Sequence, residues 1–450
     1  MGRVDRRVGP ALAAALSTAA VAAAPAEAAV KTHTLRSGPY AMGGFQVKFP
    51  RVEVPTPKVD GHIVRMHARL VDARGRRVSI RDVMLHHLVF RRRWRPGNKL
   101  PCRSHRGEAF YGTGEENQRL DLPPGYGYRI TRGDRWRITA MLMSHRLKVR
   151  RVYIQYRVTV DTSGDLTPVR AFWVRANGCG PSISYPVPGG GPPGSTDLRR
   201  FTWRMPYAGR IVAASGHLHG GAKDMWLSQP RCGNRRLLHA RPYYAPPDHP
   251  YYTARPILHE PGPFDTSAFH SRTGIAVRRG ERLRLTGAYD GQLPHTRVMS
   301  IMHVYVARGP APRACAPLPA DRRQTRRYER YRPDPPQVRV PLNRLDERGR
   351  TYELLEPPWP ARRLRRPATV AVRDDGFSPP HVSLRAGSRL TWRFTGAARH
   401  NVLFANGPSL VGSPTLRRGQ THTTRFRVPG RYELFCYLHP VTMHQVVDVT

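Results

Sequence analysis

Residues 435–443 read Phe-Cys-Tyr-Leu-His-Pro-Val-Thr-Met and hold the most informative pattern in this 450-residue chain. Cys436 ends an apolar run, His439 lies three residues further on, and Met443 lies four residues after that. Upstream, His400 opens the apolar segment His-Asn-Val-Leu-Phe. A tight loop after a strand can place a thiolate, an imidazole and a thioether around one point, and a neighbouring strand can supply a second imidazole. The stretch therefore predicts a small β-sandwich with a metal site at one end.

The donor types decide which metal this site suits. Two imidazoles, one thiolate and a weak axial thioether form the trigonal arrangement of blue copper sites. The alternative is a buried cysteine, a core methionine and two surface histidines, but all four donors occur in the right order. We therefore predict that His400, Cys436, His439 and Met443 bind a type 1 copper ion.

Residues 367–450 as a whole resemble the cupredoxin family, which includes plastocyanin and amicyanin. The segments Gly376-Phe377-Ser378-Pro379 and Ala386-Gly387-Ser388, before the first ligand, contribute to this resemblance. The resemblance implies a Greek-key sandwich that exchanges electrons with a redox partner protein or a small reductant.

Three more histidine clusters lie in the larger N-terminal part of the chain. His86 and His87 are adjacent within an apolar run, His145 closes another apolar run, and His217 and His219 are separated by one residue. Alternate residues of a strand share a face, so His217 and His219 can hold one ion without distortion. His86 and His87 need a bulge or a strong twist to converge.

Residues 45–310 resemble the copper type II, ascorbate-dependent monooxygenases, such as peptidylglycine alpha-hydroxylating monooxygenase. That resemblance implies two stacked β-sandwiches with one copper on each, dioxygen as co-substrate and a small organic substrate. It also implies two ligand sets: His86, His87 and His145 for the first copper, and His217, His219 and Met299 for the second. Met302 is the alternative to Met299, and a plain sandwich scaffold with scattered histidines is the alternative to the whole arrangement.

The same resemblance has departures that bear on the substrate. Ser215 stands where peptide-amidating members have the arginine that anchors a substrate carboxylate, and His303 stands where they have a peptide-contacting tyrosine. Peptide amidation is therefore not expected. Among the remaining histidines, His259 and His295 could instead line the second site.

Short apolar-alternating segments between turn signals predict an all-β chain: two tandem β-sandwiches followed by a cupredoxin Greek-key sandwich. The sequence divides into a signal peptide (1–28), a first sandwich (45–170), a second sandwich (171–308), a Pro/Arg-rich extended linker (309–366) and the cupredoxin domain (367–450).

The chain carries 75 Lys+Arg against 31 Asp+Glu, a formal net charge of +44. Only 6 of the basic residues are lysine, and the arginines are spread along the whole sequence. Without a basic helix or an aromatic RNA-binding motif, arginine-rich codon usage explains this charge better than a nucleic-acid partner. We expect no nucleic-acid partner.

The N-terminus has a positive start, an apolar stretch over 11–24 and the small-residue cleavage site Ala-Glu-Ala at 26–28. The apolar stretch is too short and alanine-rich for a membrane span, so the mature chain is expected outside the cytoplasm, without an integral membrane segment. Disulfides are then permitted. With Cys436 assigned to copper, the four other cysteines, Cys102, Cys179, Cys232 and Cys315, can form two disulfides in three connectivities.

Two functions follow from these patterns. The first is an exported copper protein whose cupredoxin domain transfers electrons. The second is a copper-dependent monooxygenase that hydroxylates a small organic substrate, with the cupredoxin as its built-in electron donor. A tether would raise the local concentration of that donor.

Overall fold

The structure is a computed structural model of the 450-residue chain. It describes residues 1–2, 29–93, 101–102, 107–311, 315–328, 330–332, 334–335, 342–346, 348, 350–353, 359–364 and 368–450. Most of the expected signal peptide (residues 3–28), His105 and parts of the 309–366 segment lie outside the described residues.

The described chain is almost entirely β-strand, which confirms the predicted all-β class. The first sandwich contains β1 (Val30–Met42), β2 (Val47–Lys48), β3 (Arg51–Val54), β4 (Gly61–Val71), β5 (Val83–Arg92), β6 (Glu108–Gly114), β7 (Leu120–Asp121), β8 (Tyr126–Ile130), β9 (Trp136–Ser144) and β10 (Arg150–Asp161). Strands β1, β10, β4 and β8 face the sheet β2-β9-β5-β6. Alternate residues enter the core between them, where Phe90 packs on Trp136 and Tyr156.

The second sandwich contains β11 (Thr167–Arg175), β12 (Tyr185–Val187), β13 (Thr196–Arg204), β14 (Gly209–Leu218), β15 (Ala222–Gln229), β16 (Arg235–His239), β17 (Pro242–Tyr243), β18 (Asp265–Thr266), β19 (Ala268–Val277), β20 (Arg282–Asp290), β21 (His295–Val298) and β22 (Ser300–Arg308). One helix of four residues, α1 (Pro250–Thr253), interrupts the loop between β17 and β18. The sheet β13-β20-β15-β16 covers the strands β11-β22-β14-β19.

One continuous sheet connects the two sandwiches. Its order runs β1-β10-β4-β8-β11-β22-β14-β19, and β11 joins the halves by pairing in parallel with β8 and antiparallel with β22. The boundary expected at residue 170 therefore falls inside β11. This shared sheet holds β6 of the first sandwich close to β11 and β22 of the second.

Within the segment expected to be an extended linker, residues 315–328 pack on the second sandwich, whereas the short strand Arg362–Arg363 pairs with His381–Leu384. Strand β23 (Arg323–Thr325) pairs with β19, and Arg327 donates to the Asp265 carboxylate at 3.1 Å. Tyr328 and Tyr331 stack on each other, and both rings pack at a tilt against Phe264. These aromatic side chains offset the polar composition that suggested an extended chain. Further short strands are β24 (Asn343–Leu345), β25 (Thr351–Glu353) and β26 (Arg362–Arg363).

The C-terminal sandwich contains β27 (Ala368–Val372), β28 (Phe377–Ser378), β29 (His381–Leu384), β30 (Arg389–Phe394), β31 (Leu403–Asn406), β32 (Thr421–Arg425), β33 (Gly430–Phe435) and β34 (His444–Val449). Its two sheets run β26-β29-β34-β33-β31 and β28-β27-β30-β32. Trp392 lies between them and donates its indole N–H to Gln445 Oε1 at 2.6 Å.

An apolar cluster buries one end of this C-terminal sandwich against the first sandwich. Its C-terminal members include Leu403, Phe435, Tyr437, Val441 and Val446. They pack with Phe45, Val47, Met84, Met141 and Met143 of the first sandwich, and with aromatic residues of the β17–β18 loop. We call this cluster the docking core. It fixes the C-terminal sandwich to the rest of the chain through side chains as well as through the connecting segment.

Two disulfides, Cys102–Cys179 and Cys232–Cys315, use the four cysteines whose pairing was open. The second disulfide ties residue 315 to the loop after β15. Within the described residues, no helix has the length and apolar character needed to cross a membrane.

Candidate metal centres

The ligand loop of the C-terminal sandwich follows β33. Cys436 Sγ lies 3.8 Å from His400 Nδ1 and 3.7 Å from His439 Nδ1, and the three donor atoms lie within 4.8 Å of one another. Met443 is fully buried in the core cluster that includes Cys436. The four residues that the sequence singled out are therefore brought to the same end of the sandwich.

Hydrogen bonds hold this loop in place. Met443 O accepts from Cys436 N at 3.0 Å, and Cys436 O accepts from His439 N at 3.0 Å, so the loop closes on itself. Asn401 Oδ1 accepts from the backbone N–H of Tyr437 at 2.9 Å, which attaches the loop to the strand segment of His400. Such bonds fix ligand positions before an ion binds.

The electrostatics of this site favour a cation between its donors. Asp374 Oδ1 lies 2.8 Å from His400 Nε2, which leaves Nδ1 pointing at the sulfur. The bond from His400 lowers the pKa of Asp374 to about 2. Burial raises the pKa of the Cys436 thiol and lowers the pKa of His439. A metal cation between these donors would stabilise the thiolate form of the buried Cys436, so the residues fit the predicted ion.

The N-terminal histidines meet in one buried cluster. The rings of His86 and His87 are 5.0 Å apart, those of His86 and His219 are 5.1 Å apart, and those of His87 and His217 are 6.1 Å apart. The sequence predicts two separate sites for these residues, one on each sandwich. The shared sheet instead brings the two histidines of β5 close to His217 and His219, which lie at the end of β14, where the two sandwiches meet.

The local strand geometry explains the adjacent pair. The register of β5 against β9 shifts between Leu85 and His87, so an irregularity of the kind a bulge produces lies at this pair. Opposite His87 lies Gly114, where an added Cβ would be 2.6 Å from His86 O. A side chain at position 114 would therefore clash with this backbone, and Glu115 and Glu116 follow directly after β6.

His217 and His219 converge as their spacing predicts. Their Nε2 atoms are 3.2 Å apart. Glu116 Oε1 lies 2.6 Å from His217 Nδ1, so the carboxylate orients the ring and leaves Nε2 for a ligand. Burial lowers the pKa of His217, but the Glu116 charge outweighs it and the pKa is raised overall. Burial holds the pKa of His219 well below its usual value, which keeps that ring neutral.

The two methionines near residue 300 occupy different surroundings. Met299 lies in the break between β21 and β22, next to Arg297 with its positive φ of 50°, and lines a small cavity with His87, His217 and His303. Tyr289 connects it to the histidine pair, because the Tyr289 hydroxyl accepts from His219 N and donates to Met299 O. Met302 belongs to the apolar core of the second sandwich.

His145 differs from the grouping that the resemblance implied. Its Nδ1 lies 3.0 Å from Pro256 O, and no group of three potential ligands among the described residues includes it. His145 directly follows β9, and its backbone N–H donates to the carbonyl of Asp82 at 2.9 Å. Asp82 itself lies four residues before His86 of the neighbouring strand β5. The His259 and Glu115 charges still act on it, although burial is the main reason that its pKa falls to about 4.

Instead, Glu115 and His259 approach His86. Glu115 Oε1 contacts His86 Nδ1 and lies 2.5 Å from His259 Nε2, while His259 Nε2 is 3.1 Å from His86 Nδ1. The sequence offers His259 as a residue that lines the second site and gives no role to Glu115. His295 is elsewhere, with Nδ1 2.8 Å from Glu260 Oε1.

Buried polar atoms without a hydrogen-bond partner surround the cluster. Among the described residues they include Nδ1 of His87, Nδ1 of His259, Nε2 of His303 and Oε2 of Glu116. Burying polar atoms without a hydrogen-bond partner costs free energy, and a bound cation that contacts such atoms reduces this cost. Imidazole, carboxylate and thioether donors all serve transition metals, so this donor set also fits copper.

Known proteins give a match to part of the chain. This chain is 42% identical over 74 residues to "Amicyanin-alpha" of Methylorubrum extorquens, and the match covers 16% of this chain and 62% of that protein. The chain thus spans under two thirds of that relative, and the identity supports a cupredoxin domain. No family model matches the chain.

Solved structures give partial matches as well. A purple cupredoxin from Nitrosopumilus maritimus is 23% identical, with 18% of this chain and 99% of that chain covered and a TM-score of 0.17. A Cu(I) form of a mutant amicyanin is 27% identical, with 18% and 81% covered and a TM-score of 0.17. At these scores the structural matches carry no further argument.

Proposed function

We propose that this chain is a copper electron-transfer protein whose type 1 copper is bound by His400, Cys436, His439 and Met443. The observation that carries the proposal is the convergence of Cys436 Sγ with two imidazole nitrogens at 3.7 and 3.8 Å beside a fully buried methionine. Copper at such a site supplies one-electron redox chemistry. The similarity to amicyanin supports the same interpretation.

Blue absorption tests this proposal. Copper-loaded wild-type protein should be blue, because the charge-transfer band requires a thiolate on copper. Cys436→Ser should abolish the colour. Met443→Leu should keep the colour and shift the reduction potential, since the axial thioether bond is weak. A colourless copper-loaded wild-type protein would rule out the type 1 assignment.

A second function, a copper-dependent monooxygenase supplied with electrons by the cupredoxin domain, is favoured by the position of that domain. Tyr437, the neighbour of Cys436, lies in the docking core, and its hydroxyl is 3.0 Å from Met141 Sδ on the strand beside the His86–His87 strand. Burial raises the pKa of Tyr437, Arg297 opposes this rise, and the Glu115 charge adds to it. The loop that carries Cys436 therefore lies against the strand that pairs with the strand of His86 and His87.

In this second function the residues have separate tasks. Glu116 holds His217 with Nε2 toward His219, and Met299, Trp173 and His303 line a small, mainly apolar cavity beside this pair. The docking core excludes water between the two centres. The pattern of histidines and its geometry support this function; no relative contributes to it.

Copper content and oxygen uptake test the second function. Wild-type protein should hold copper beyond the type 1 site and take up oxygen in the presence of substrate. Replacing His217 and His219 together by alanine should lower the copper content and abolish the uptake. Cys436→Ser should retain the N-terminal copper but slow turnover. His239→Ala, which removes a histidine paired with Asp224 away from the cluster, is the matched control. Copper confined to the type 1 site would leave only electron transfer.

We also propose that the mature protein acts outside the cytoplasm. The two disulfides support this location, because disulfides persist in oxidising compartments. N-terminal sequencing of the protein released by its native host should begin near Ala29.

A further inference from the structure

The strongest unassigned group of donors lies at the base of β6, where three residues from different elements meet. His86 comes from β5, Glu115 follows β6, and His259 lies in the loop between β17 and β18. Their ligand atoms lie within 4.8 Å of one another. The side chains are 8%, 5% and 13% exposed, so water contributes little to their solvation.

The second oxygen of Glu115 is held separately. Glu115 Oε2 accepts from Gly262 N at 3.2 Å, while Oε1 faces both imidazoles. The carboxylate is thus fixed by the same loop that carries His259. A plain ion pair with a protonated His259 needs only one imidazole, but here two imidazoles converge on one oxygen. That convergence is the arrangement expected around a metal ion.

This group lies directly beside the His217–His219 pair. The rings of His86 and His219 are 5.1 Å apart, and the rings of His86 and His259 are 4.5 Å apart. Ions bound at the two groups would be separated by a few ångströms, as in two-metal sites.

We propose that the N-terminal cluster is a two-copper centre, with one ion on His86, His259 and Glu115 and the other on His217, His219 and Met299. This inference rests on the proposed binding of copper in this region. It keeps His86 of the expected first set and replaces His87 and His145 by His259 and Glu115. The donor sets differ in a useful way, because a hard carboxylate favours Cu(II) whereas a soft thioether favours Cu(I). When the centre takes up one electron, the ion on His217, His219 and Met299 would then be the one that is reduced to Cu(I).

Copper stoichiometry of the full-length protein tests the ligand assignment. Glu115→Gln keeps the size of the side chain but removes its charge, and it should lower the copper content from three to two ions per chain. His145→Gln should keep three ions. Blue absorption at Cys436 reports in both variants that the C-terminal sandwich is folded, and an unchanged unfolding midpoint of the full-length protein reports the same for the N-terminal sandwiches. Retention of three ions by Glu115→Gln would overturn the inference.

Electron paramagnetic resonance of the wild-type protein gives a test that needs no substitution. After full oxidation, two Cu(II) ions a few ångströms apart should couple, so the spin count should fall below three per chain and a half-field signal should appear. Three uncoupled signals would overturn the two-copper centre while leaving copper binding intact. A wild-type protein with copper only at the type 1 site would overturn this inference and the oxygenase function together. If Glu115→Gln does not fold, His259→Gln in the loop should lose the same ion.

Discussion

The hydroxyl of Tyr437 donates to the sulfur of Met141, 296 positions earlier in the chain, at 3.0 Å. Tyr437 directly follows the thiolate residue Cys436, and Met141 lies in β9, which pairs with the strand of His86 and His87. One side-chain contact therefore spans the boundary between the two candidate metal centres. Because both partners are buried in the docking core, this contact also reports whether the cupredoxin domain is seated.

The first prediction removes that contact. Tyr437→Phe should weaken the seating of the cupredoxin domain by about 1 kcal/mol, the usual net value of a hydrogen bond, while the blue colour remains. Amide hydrogen exchange in β9 should increase as a result. Tyr432→Phe is the matched control, since its hydroxyl bonds only to Ser409 and Val428 within the same domain. Unchanged exchange in β9 would mean that the contact does not contribute to docking.

The thiolate loop and the strand pattern could be predicted from the sequence because their information is local. Cys436, His439 and Met443 lie within eight consecutive positions, and strand alternation needs only neighbouring residues. The bulge at His86–His87 follows from the same local rule.

The partners of His86 could not be predicted in this way, because they depend on how the sandwiches pack. Glu115 comes from the end of β6 and His259 from a long loop, and only the shared sheet brings them together. The one signal in the sequence was the segment Gly-Glu-Glu at 114–116, where two carboxylates directly follow a buried strand. The packed part of the linker was missed for a related reason: Tyr328 and Tyr331 find their apolar partner, Phe264, more than sixty positions away.

The second prediction concerns the carboxylate behind His217. Glu116→Gln should reduce the copper affinity of the His217–His219 site about 10- to 100-fold, because the ring loses the partner that orients it. Type 1 colour should not change. Asp224→Asn, which alters a similar carboxylate–histidine pair at His239, should leave copper affinity as it is. Competition titration with a copper chelator measures both, and equal affinities in the two variants would contradict the role of Glu116.

The third prediction concerns the Cys232–Cys315 disulfide, which closes a loop across 83 positions. Replacing both cysteines with alanine should lower the free energy of unfolding of the second sandwich by about 2–4 kcal/mol, the usual range for such crosslinks. Urea unfolding followed by tryptophan fluorescence measures this loss. The blue colour should survive, since Cys436 is the free cysteine. Peptide mapping without reduction should recover Cys232 with Cys315, and recovery with Cys102 or Cys179 would contradict the pairing.

The last prediction concerns the pH dependence of the segment 315–328. Asp321 attaches this segment to the second sandwich by accepting from Ser271 Oγ at 2.7 Å, from Arg272 N at 2.7 Å and from Thr273 N at 3.0 Å. The bond from Ser271, followed by that from Thr273 N, lowers the pKa of Asp321 below its ordinary value of 3.8. Since the folded pKa is the lower one, the ionised carboxylate stabilises the attachment at pH values above 3.8, and this stabilisation is lost as the pH falls through the folded pKa.

Hydrogen exchange of residues 315–328 should therefore be flat between neutral pH and about pH 5, after correction for intrinsic rates, and should rise below about pH 4. Asp321→Asn should raise it at neutral pH, because the amide N–H groups of the new side chain cannot accept from Ser271, Arg272 and Thr273 together. Asp165→Asn, at an exposed aspartate of the loop between β10 and β11, is the control and should leave the segment unchanged. Exchange that is insensitive to both acid and Asp321→Asn would mean that the stacked Tyr328 and Tyr331, and not this carboxylate, hold the segment on the sandwich.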